Sequence, residues 1–468
     1  MAEQGSTPKM KSPVIFTSCV RTSTRRDVLR KLLMLSGAAT CLPGLPWPTF
    51  AQNTETPVLG MMTRNRRALV LGNTTYTPEQ QALPSSRKNA TDVAEALTGL
   101  GFQVHREVDQ GAEPMRAMVQ RFFSDARVDS SGPPLALFYY TGHGMQHHGK
   151  NYIVPSDVSL QQSVEGIAKA SVNVDDDLIR HASFTEGAGV FVFDACRNDP
   201  SRGPDDKEGS FNQVNPPRGT LIVYSTAPGK FAIAPKARDA HSIYTAILLE
   251  ELAKNPAMTL KDFFDSVKFR VKKFMETHPD DFLRQHVQDP EVAANLPVRM
   301  SLALAPSGPS EPNEAQEAWA RIDRTAAPAE RAKLLQDYVE QFKESRMLPS
   351  AQVQLERASE AAKRKTYARP ESIGDAEFQA EQAKARDGDK YAAYRIAQMF
   401  QKGSNGLPRD EAKSIQWLRD ASELRNGIAS YELSRYYANQ DRVREAVVYA
   451  NRAREQGYEP PPGLAVVR

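Results

Sequence analysis

Four stretches of this chain are apolar without alternation: Ala68–Leu71 (ALVL), Leu135–Tyr140 (LALFYY), Gly189–Phe193 (GVFVF) and Leu221–Val223 within GTLIVYSTA. A strand with one wet face alternates apolar and polar residues; a strand covered on both faces does not. Segments of helical period lie between these runs. Ala90, Val93, Ala94 and Leu97 share one helical face, with Gly99 and Gly101 as stop signals. EPMRAMVQRFFSDA and SIYTAILLEELAK have the same period. QVHREV (103–108) reads as a second strand, NYIVPSD (151–157) as a short fourth after a turn, and VNVDDDLIRHAS as the lead into a further helix. Strands alternating with helices predict an α/β fold with a mainly parallel sheet sandwiched between helices. In such sheets, sites form beyond the carboxyl ends of strands. Two sequences sit there: a Thr-Gly-His-Gly turn at 141–144, and Asp194-Ala195-Cys196.

A chain of 468 residues exceeds one ordinary core. The composition changes near Ala305, where APSGPSEPNEAQ reads as a linker. Residues 314–370 have the composition of a helical connector. From 371 to 460 an internal repeat appears: Tyr394, Ile396 and Phe400 recur as Tyr431, Leu433 and Tyr437, each 37 residues on, and Ala412 recurs as Ala446 at a shorter offset. A helix-pair repeat of this length stacks as a solenoid, so an all-α domain should follow the sheet. With 60 basic and 57 acidic residues the chain is nearly balanced, which argues against nucleic acid as its main partner. No segment has the roughly 18–20 unbroken apolar residues of a membrane span.

The first 51 residues have the layout of an export signal. Arg25 and Arg26 supply a basic start, Leu32–Leu45 a modest apolar region, and Thr49-Phe50-Ala51 a small-x-small end. Thr24–Arg30 resembles the twin-arginine consensus, with Val28 where Phe is usual. Residues 52–63 then read as a linker, and the mature protein as exported or periplasmic. Cys19 and Cys41 leave with the signal, so Cys196 would be the one remaining thiol and no internal disulfide could form.

Taken alone, His143 has a structural reading as part of a glycine turn, and Cys196 as a packing residue. Together they have a chemical one. A thiol attacks a carbonyl as its thiolate and needs a base. A nearby imidazole can take that proton and return it to the leaving amine. The tetrahedral intermediate needs donors for its oxyanion, and the backbone N–H groups of Gly144 and Cys196 could supply them. The two residues lie 53 positions apart at neighbouring strand ends.

FYYTGHGMQHHGKNYIVPSD and VFVFDACRNDP closely resemble the two signature blocks of caspase-like cysteine peptidases, in particular the bacterial relatives of metacaspases. RRALVLGNTTY resembles that family's first strand, and RGTLIVYSTAPG the strand after its catalytic cysteine. The resemblance covers a domain at 64–304, with a linker at 305–313. It implies a caspase-like αβα sandwich with His143 as base, Cys196 as nucleophile and an oxyanion hole at Gly144 and Cys196. It also implies cleavage after Arg or Lys through acidic pocket residues. Asp194 matches one of these; the other falls at Asn89, in Lys88-Asn89-Ala90, where the acid is replaced. One carboxylate still pairs with a guanidinium, though less firmly than two. Asp194 also has a plain reading, as a carboxylate capping a neighbouring loop.

Other features are expected to be ordinary. His147 and His148 read as an exposed loop rather than metal ligands. Asp175, Asp176 and Asp177 read as helix-start acids; calcium activation, known among metacaspases, is the competing reading. No cofactor is required. Residues 200–219 form a polar Gly/Pro-rich loop, with Arg202, Lys207 and Arg218 as conceivable processing points. The C-terminal segment resembles a Sel-one-like repeat, a relative of the tetratricopeptide repeat, at Gly388-Asp389, Ala393-Tyr394, Gly403, Asp410, Ala412 and Trp417. Such repeats bind proteins. The expected function is thus an exported cysteine endopeptidase acting on protein or peptide substrates, with a repeat arm for a protein partner. The alternatives are a weak or inactive caspase-like scaffold, and an unrelated thiol hydrolase or acyltransferase.

Overall fold

The unbroken apolar strands line up in one sheet whose two faces both carry helices. The computed structural model describes residues 63–196, 212–227, 232–233, 239–296, 300–303, 312–324, 328–363 and 371–458. The export segment and the candidate processing points Arg202 and Lys207 lie outside the described residues.

The elements run in order β1 (Arg66–Gly72), α1 (Ser85–Gly99), β2 (Gln103–Val108), α2 (Ala112–Val128), β3 (Leu135–His147), β4 (Lys150–Ile153), α3 (Val164–Ala170), β5 (Val172–Asn173), β6 (Ala188–Cys196), β7 (Thr220–Tyr224), α4 (Ile243–Lys254), α5 (Leu260–Glu276), α6 (Asp281–Gln285) and β8 (Glu291–Asn295). Strand order is β2-β1-β3-β6-β7-β8. The first five strands of that path pair in parallel, and β8 closes the edge antiparallel to β7. The pleat splits each apolar strand between two cores. Val70, Leu137, Tyr139, Val190, Val192 and Val223 face α1, α4 and α5. Leu69, Phe138, Tyr140, Phe191, Phe193 and Ile222 face α2 and the turns at 174–182. This is the expected αβα sandwich, and it explains why the strands do not alternate.

Two local expectations need correction. Thr141–Gly144 is not a turn; β3 runs on through it for 13 residues. Its first part pairs with β1 and β6, and Gly144–His147 pairs antiparallel with β4. The glycine at 142 serves space rather than turning: a Cβ there would meet the Tyr140 hydroxyl at 2.5 Å and the Tyr76 hydroxyl at 2.8 Å. VNVDDDLIRHAS forms no regular helix but the two-residue β5, one wide turn at Val174–Leu178 and a 3-10 turn at Ile179–Ala182. Its acids disperse to different partners: Asp176 to Lys150, Asp177 to Arg116. Finally, α5 and β8 go unread in the sequence. The helical stripe of α5 (Leu260, Phe263, Phe264, Val267, Val271) is plain in retrospect, whereas EVAAN has no strand signature.

Beyond the sheet come α7 (Asn313–Arg324), α8 (Pro328–Gln341), α9 (Leu348–Ala362), α10 (Ala376–Arg386), α11 (Lys390–Lys402), α12 (Glu411–Glu423), α13 (Gly427–Ala438) and α14 (Val443–Glu455). Helix α9 docks on α5 through two buried acids. Asp262 accepts from Ser350 and Gln354, and Asp265 pairs with Arg357 at 3.3 Å. The residues that repeat at 37-residue spacing occupy equivalent buried places on α11 and α13. All the described residues belong to one compact unit. No helix among the described residues is long and apolar enough to cross a membrane.

Candidate active site

Register decides which residues meet at the carboxyl edge. β3 and β6 pair residue for residue from Leu135↔Ala188 to His143↔Cys196. Adjacent strands lie about 4.8 Å apart, so the two candidate catalytic residues are neighbours across one ladder. The Cys196 side chain lies outside the described residues; its backbone ends β6.

The His143 main chain is held by two phenols. Its N–H donates to the Tyr76 hydroxyl at 3.0 Å, and its carbonyl accepts from the Tyr140 hydroxyl at 2.9 Å. The imidazole packs edge-on against Tyr76, with ring centroids 4.4 Å apart, and is 6 % exposed. Nε2 lies 2.7 Å from the Gln81 carbonyl oxygen. A carbonyl only accepts, so Nε2 carries the proton and Nδ1 keeps its lone pair. Nδ1 is buried and, among the described residues, has no hydrogen-bond partner. Burial pulls the imidazole down to about 4, against the smaller upward pull of the Gln81 carbonyl. His143 is therefore neutral near pH 7, with Nδ1 as its basic nitrogen.

The Val154 N–H donates to the His143 carbonyl, which makes Gly144↔Ile153 the non-hydrogen-bonded pair of the β3–β4 ladder. The Gly144 N–H thus turns away from β4, toward the side where Cys196 ends β6.

Asp194 and Asn89 also converge, but in the interior. Asp194 is 5 % exposed, and its Oδ2 accepts from the Ser242 hydroxyl, from Thr245 at 2.6 Å and from Tyr139 at 3.4 Å. Ser242 caps α4 by accepting from the Thr245 N–H, and its own N–H donates to Asn89 Oδ1 at 3.2 Å. Asn89 Nδ2 reaches Thr141 at 3.3 Å. Burial pushes the Asp194 carboxyl up despite these hydroxyls. Through Ser242 and Thr245 the Asp194 carboxyl holds the start of α4.

The rings of His147 and His148 lie against each other with centroids 3.8 Å apart, tilted by 38°. Among the described residues, no group of three or more His, Cys, Asp or Glu is placed to hold a metal ion. Sequence reasoning missed the Gln81 carbonyl, because a backbone acceptor leaves no mark in side-chain identity. It also missed Tyr76 and Ser242, which read only as a loop aromatic and a helix start.

Comparison with solved structures finds likeness to caspase-1 from Spodoptera frugiperda: 18 % identity, 55 % of this chain and 96 % of that chain covered, TM-score 0.41. Comparison with curated proteins finds no match. A caspase-domain profile matches residues 65–300, the whole span from the start of β1 past β8. That span is half of the chain, and by it the chain belongs to the caspase-domain family.

Proposed function

We propose that this protein is an exported cysteine endopeptidase that uses a His143/Cys196 dyad and cleaves after Arg or Lys. The observation that carries the dyad is the register partnership of the two residues, with Nδ1 of a neutral His143 unpaired among the described residues. In the first step Nδ1 takes the thiol proton, and the thiolate attacks the scissile carbonyl. The N–H groups of Gly144 and Cys196 receive the oxyanion. The imidazolium then protonates the departing amine, and water hydrolyses the thioester with His143 again as base. The basic preference rests on Asp194, two residues before the nucleophile. Export rests on the twin-arginine-like Thr24–Arg30. The Sel-one-like reading of α11–α14 rests on the repeat and on its paired helices.

A second reading, a caspase-like scaffold that binds without cleaving, draws on one observation: Asp194 is committed to three hydroxyls and Asn89 brings no charge. Fluorogenic peptides ending in Arg, Lys or Asp decide between the two. Cleavage after Arg or Lys, lost in Cys196→Ala and in His143→Ala, supports the peptidase. Cleavage after Asp alone overturns the specificity, and no cleavage of any peptide favours the scaffold.

A further inference from the structure

The segment that leads into β7 is stitched to two distant parts of the molecule. Asn212 exchanges hydrogen bonds with Asn151: its N–H donates to Asn151 Oδ1, and its carbonyl accepts from Asn151 Nδ2 at 3.1 Å. Asn212 Nδ2 also donates to the Gly149 carbonyl at 2.9 Å. Asn151 is fully buried in β4, directly across from Gln146 on the continuation of the strand that bears His143. The next residue, Gln213, faces the helical arm. Its Nε2 donates to the carbonyls of Gln456 at 2.9 Å and Arg425 at 3.4 Å, and its Oε1 accepts from the Gly427 N–H at 3.0 Å. A primary amide has two N–H donors and a carbonyl acceptor; both ends of this one are engaged, and the residue is 7 % exposed.

The three partners sit at one place on the arm, the corner between α12 and α13 and the end of α14. Two further links follow along the same segment: Asn215 accepts from Arg395 at 3.4 Å, and Arg218 pairs with Glu377 at 2.6 Å. A separate anchor fixes the arm to the sheet edge, where Glu291 of β8 meets Lys390 at 2.7 Å and Tyr391 at 2.5 Å. The arm is therefore not a tether hung beyond a linker. It grips residues 212–218, just ahead of β7, at a point also locked to the strand pair carrying His143.

We propose that Gln213 is a positioning residue of the peptidase site, through which the helical arm, by way of Asn212 and Asn151, sets the position of the strand that carries His143 opposite Cys196. This rests on the peptidase reading above. Gln213 acts at a distance from the reacting atoms: through Asn212 and Asn151 it bears on β3, and so on His143, the ladder partner of Cys196.

The test uses the full chain as wild type, Gln213→Ala and Gln213→Glu. The glutamate variant keeps the shape and the acceptor for Gly427 but loses both donors, so it guards against misfolding of the alanine variant. Three quantities are read well below the melting transition: the rate at which iodoacetamide alkylates Cys196, followed on its peptide by mass spectrometry; kcat and KM on the best Arg or Lys peptide; and the melting midpoint. We expect alkylation to change by roughly fivefold or more and kcat to fall roughly tenfold with KM nearly constant, in both variants. A lowered midpoint with unchanged alkylation and kcat would reduce Gln213 to a structural clip and overturn the proposal. If the wild type cleaves no peptide, the peptidase reading fails by itself. The alkylation rate still decides whether Gln213 governs Cys196: a change upholds that link and an unchanged rate overturns it.

Discussion

His143 stands directly across the β3–β6 ladder from Cys196. Its outer nitrogen is tied to the Gln81 carbonyl, which leaves Nδ1 as the basic atom. That division of labour makes the two ring nitrogens separable by experiment. Removing the base altogether with His143→Ala should lower kcat by about 10²–10⁴. The Gln81 contact is made by backbone, so Gln81→Ala should leave kcat within about twofold, because the carbonyl stays. A large loss in Gln81→Ala, measured on the same peptide, would mean that the side chain and not the carbonyl orients the ring.

Burial of the same imidazole gives a pH signature in stability. Unfolded, His143 takes up a proton near its ordinary value of 6.5; folded, it resists until about 4. The unfolded state thus binds more protons between these values, and stability falls as pH drops from 6.5 to 4. The full difference is about 3 kcal/mol, absent above 6.5 and constant below 4. Asp175, pushed up to about 6 by burial, acts in the opposite sense over much of this window. The comparison must therefore be between wild type and His143→Gln by urea unfolding at several pH values. The variant should gain relative stability as pH falls from 6.5 to 4; parallel curves would refute the buried neutral imidazole.

Much of this architecture is written in residue pattern, and the failures have physical causes. Phe191 and Val192 point to opposite cores, so a strand apolar at every position announces burial on both faces. His143 and Cys196 are legible because they are chemically rare at strand ends. Gly142 misleads because glycine serves both turns and crowding, and only the structure shows the Tyr76 and Tyr140 hydroxyls beside it. Glu291–Asn295 is invisible because an edge strand needs little apolar content when neighbouring elements cover it. Gln213 is invisible because its three partners are backbone atoms more than 200 residues away.

The Asp194 cluster separates a structural role from a pocket role. Asp194→Ala leaves Ser242, Thr245 and Tyr139 without their shared acceptor, and should cost about 1–3 kcal/mol for unsatisfied buried groups. Asp194→Asn retains one acceptor oxygen and should fold with a smaller loss. If the carboxylate also reads a basic substrate, Asp194→Asn should still lower kcat/KM for Arg peptides by at least about tenfold relative to uncharged ones. Unchanged selectivity in a folded Asp194→Asn protein would confine Asp194 to holding α4.

Crowding at Gly142 predicts a penalty with a specific remedy. Gly142→Ala sets a methyl 2.5 Å from the Tyr140 hydroxyl and 2.8 Å from that of Tyr76, which should cost about 1–3 kcal/mol through overpacking. The two hydroxyls also hold the His143 main chain, so activity should fall further than stability. Tyr140→Phe in the Gly142→Ala background removes the nearer oxygen and should recover part of the stability. Simple additivity of the two substitutions would show that they do not share that space.

The link between β8 and α11 predicts how acid would loosen the arm. Burial alone would raise the Glu291 carboxyl, but Lys390 and the Tyr391 hydroxyl hold it down to about 2. A carboxylate with a depressed folded value stabilises fully above its ordinary 4.5, and that stability fades as pH falls toward 2. The drop corresponds to about 3 kcal/mol. Lys390→Ala strips the cation while leaving the charge buried, and should be more damaging than Glu291→Gln, which removes the charge itself. Hydrogen exchange of the amides at the start of α11 reports whether the arm has come away from the sheet. Faster exchange there in Lys390→Ala than in Glu291→Gln, at neutral pH, is the expected order; the reverse order would mean that the ion pair does not secure the arm.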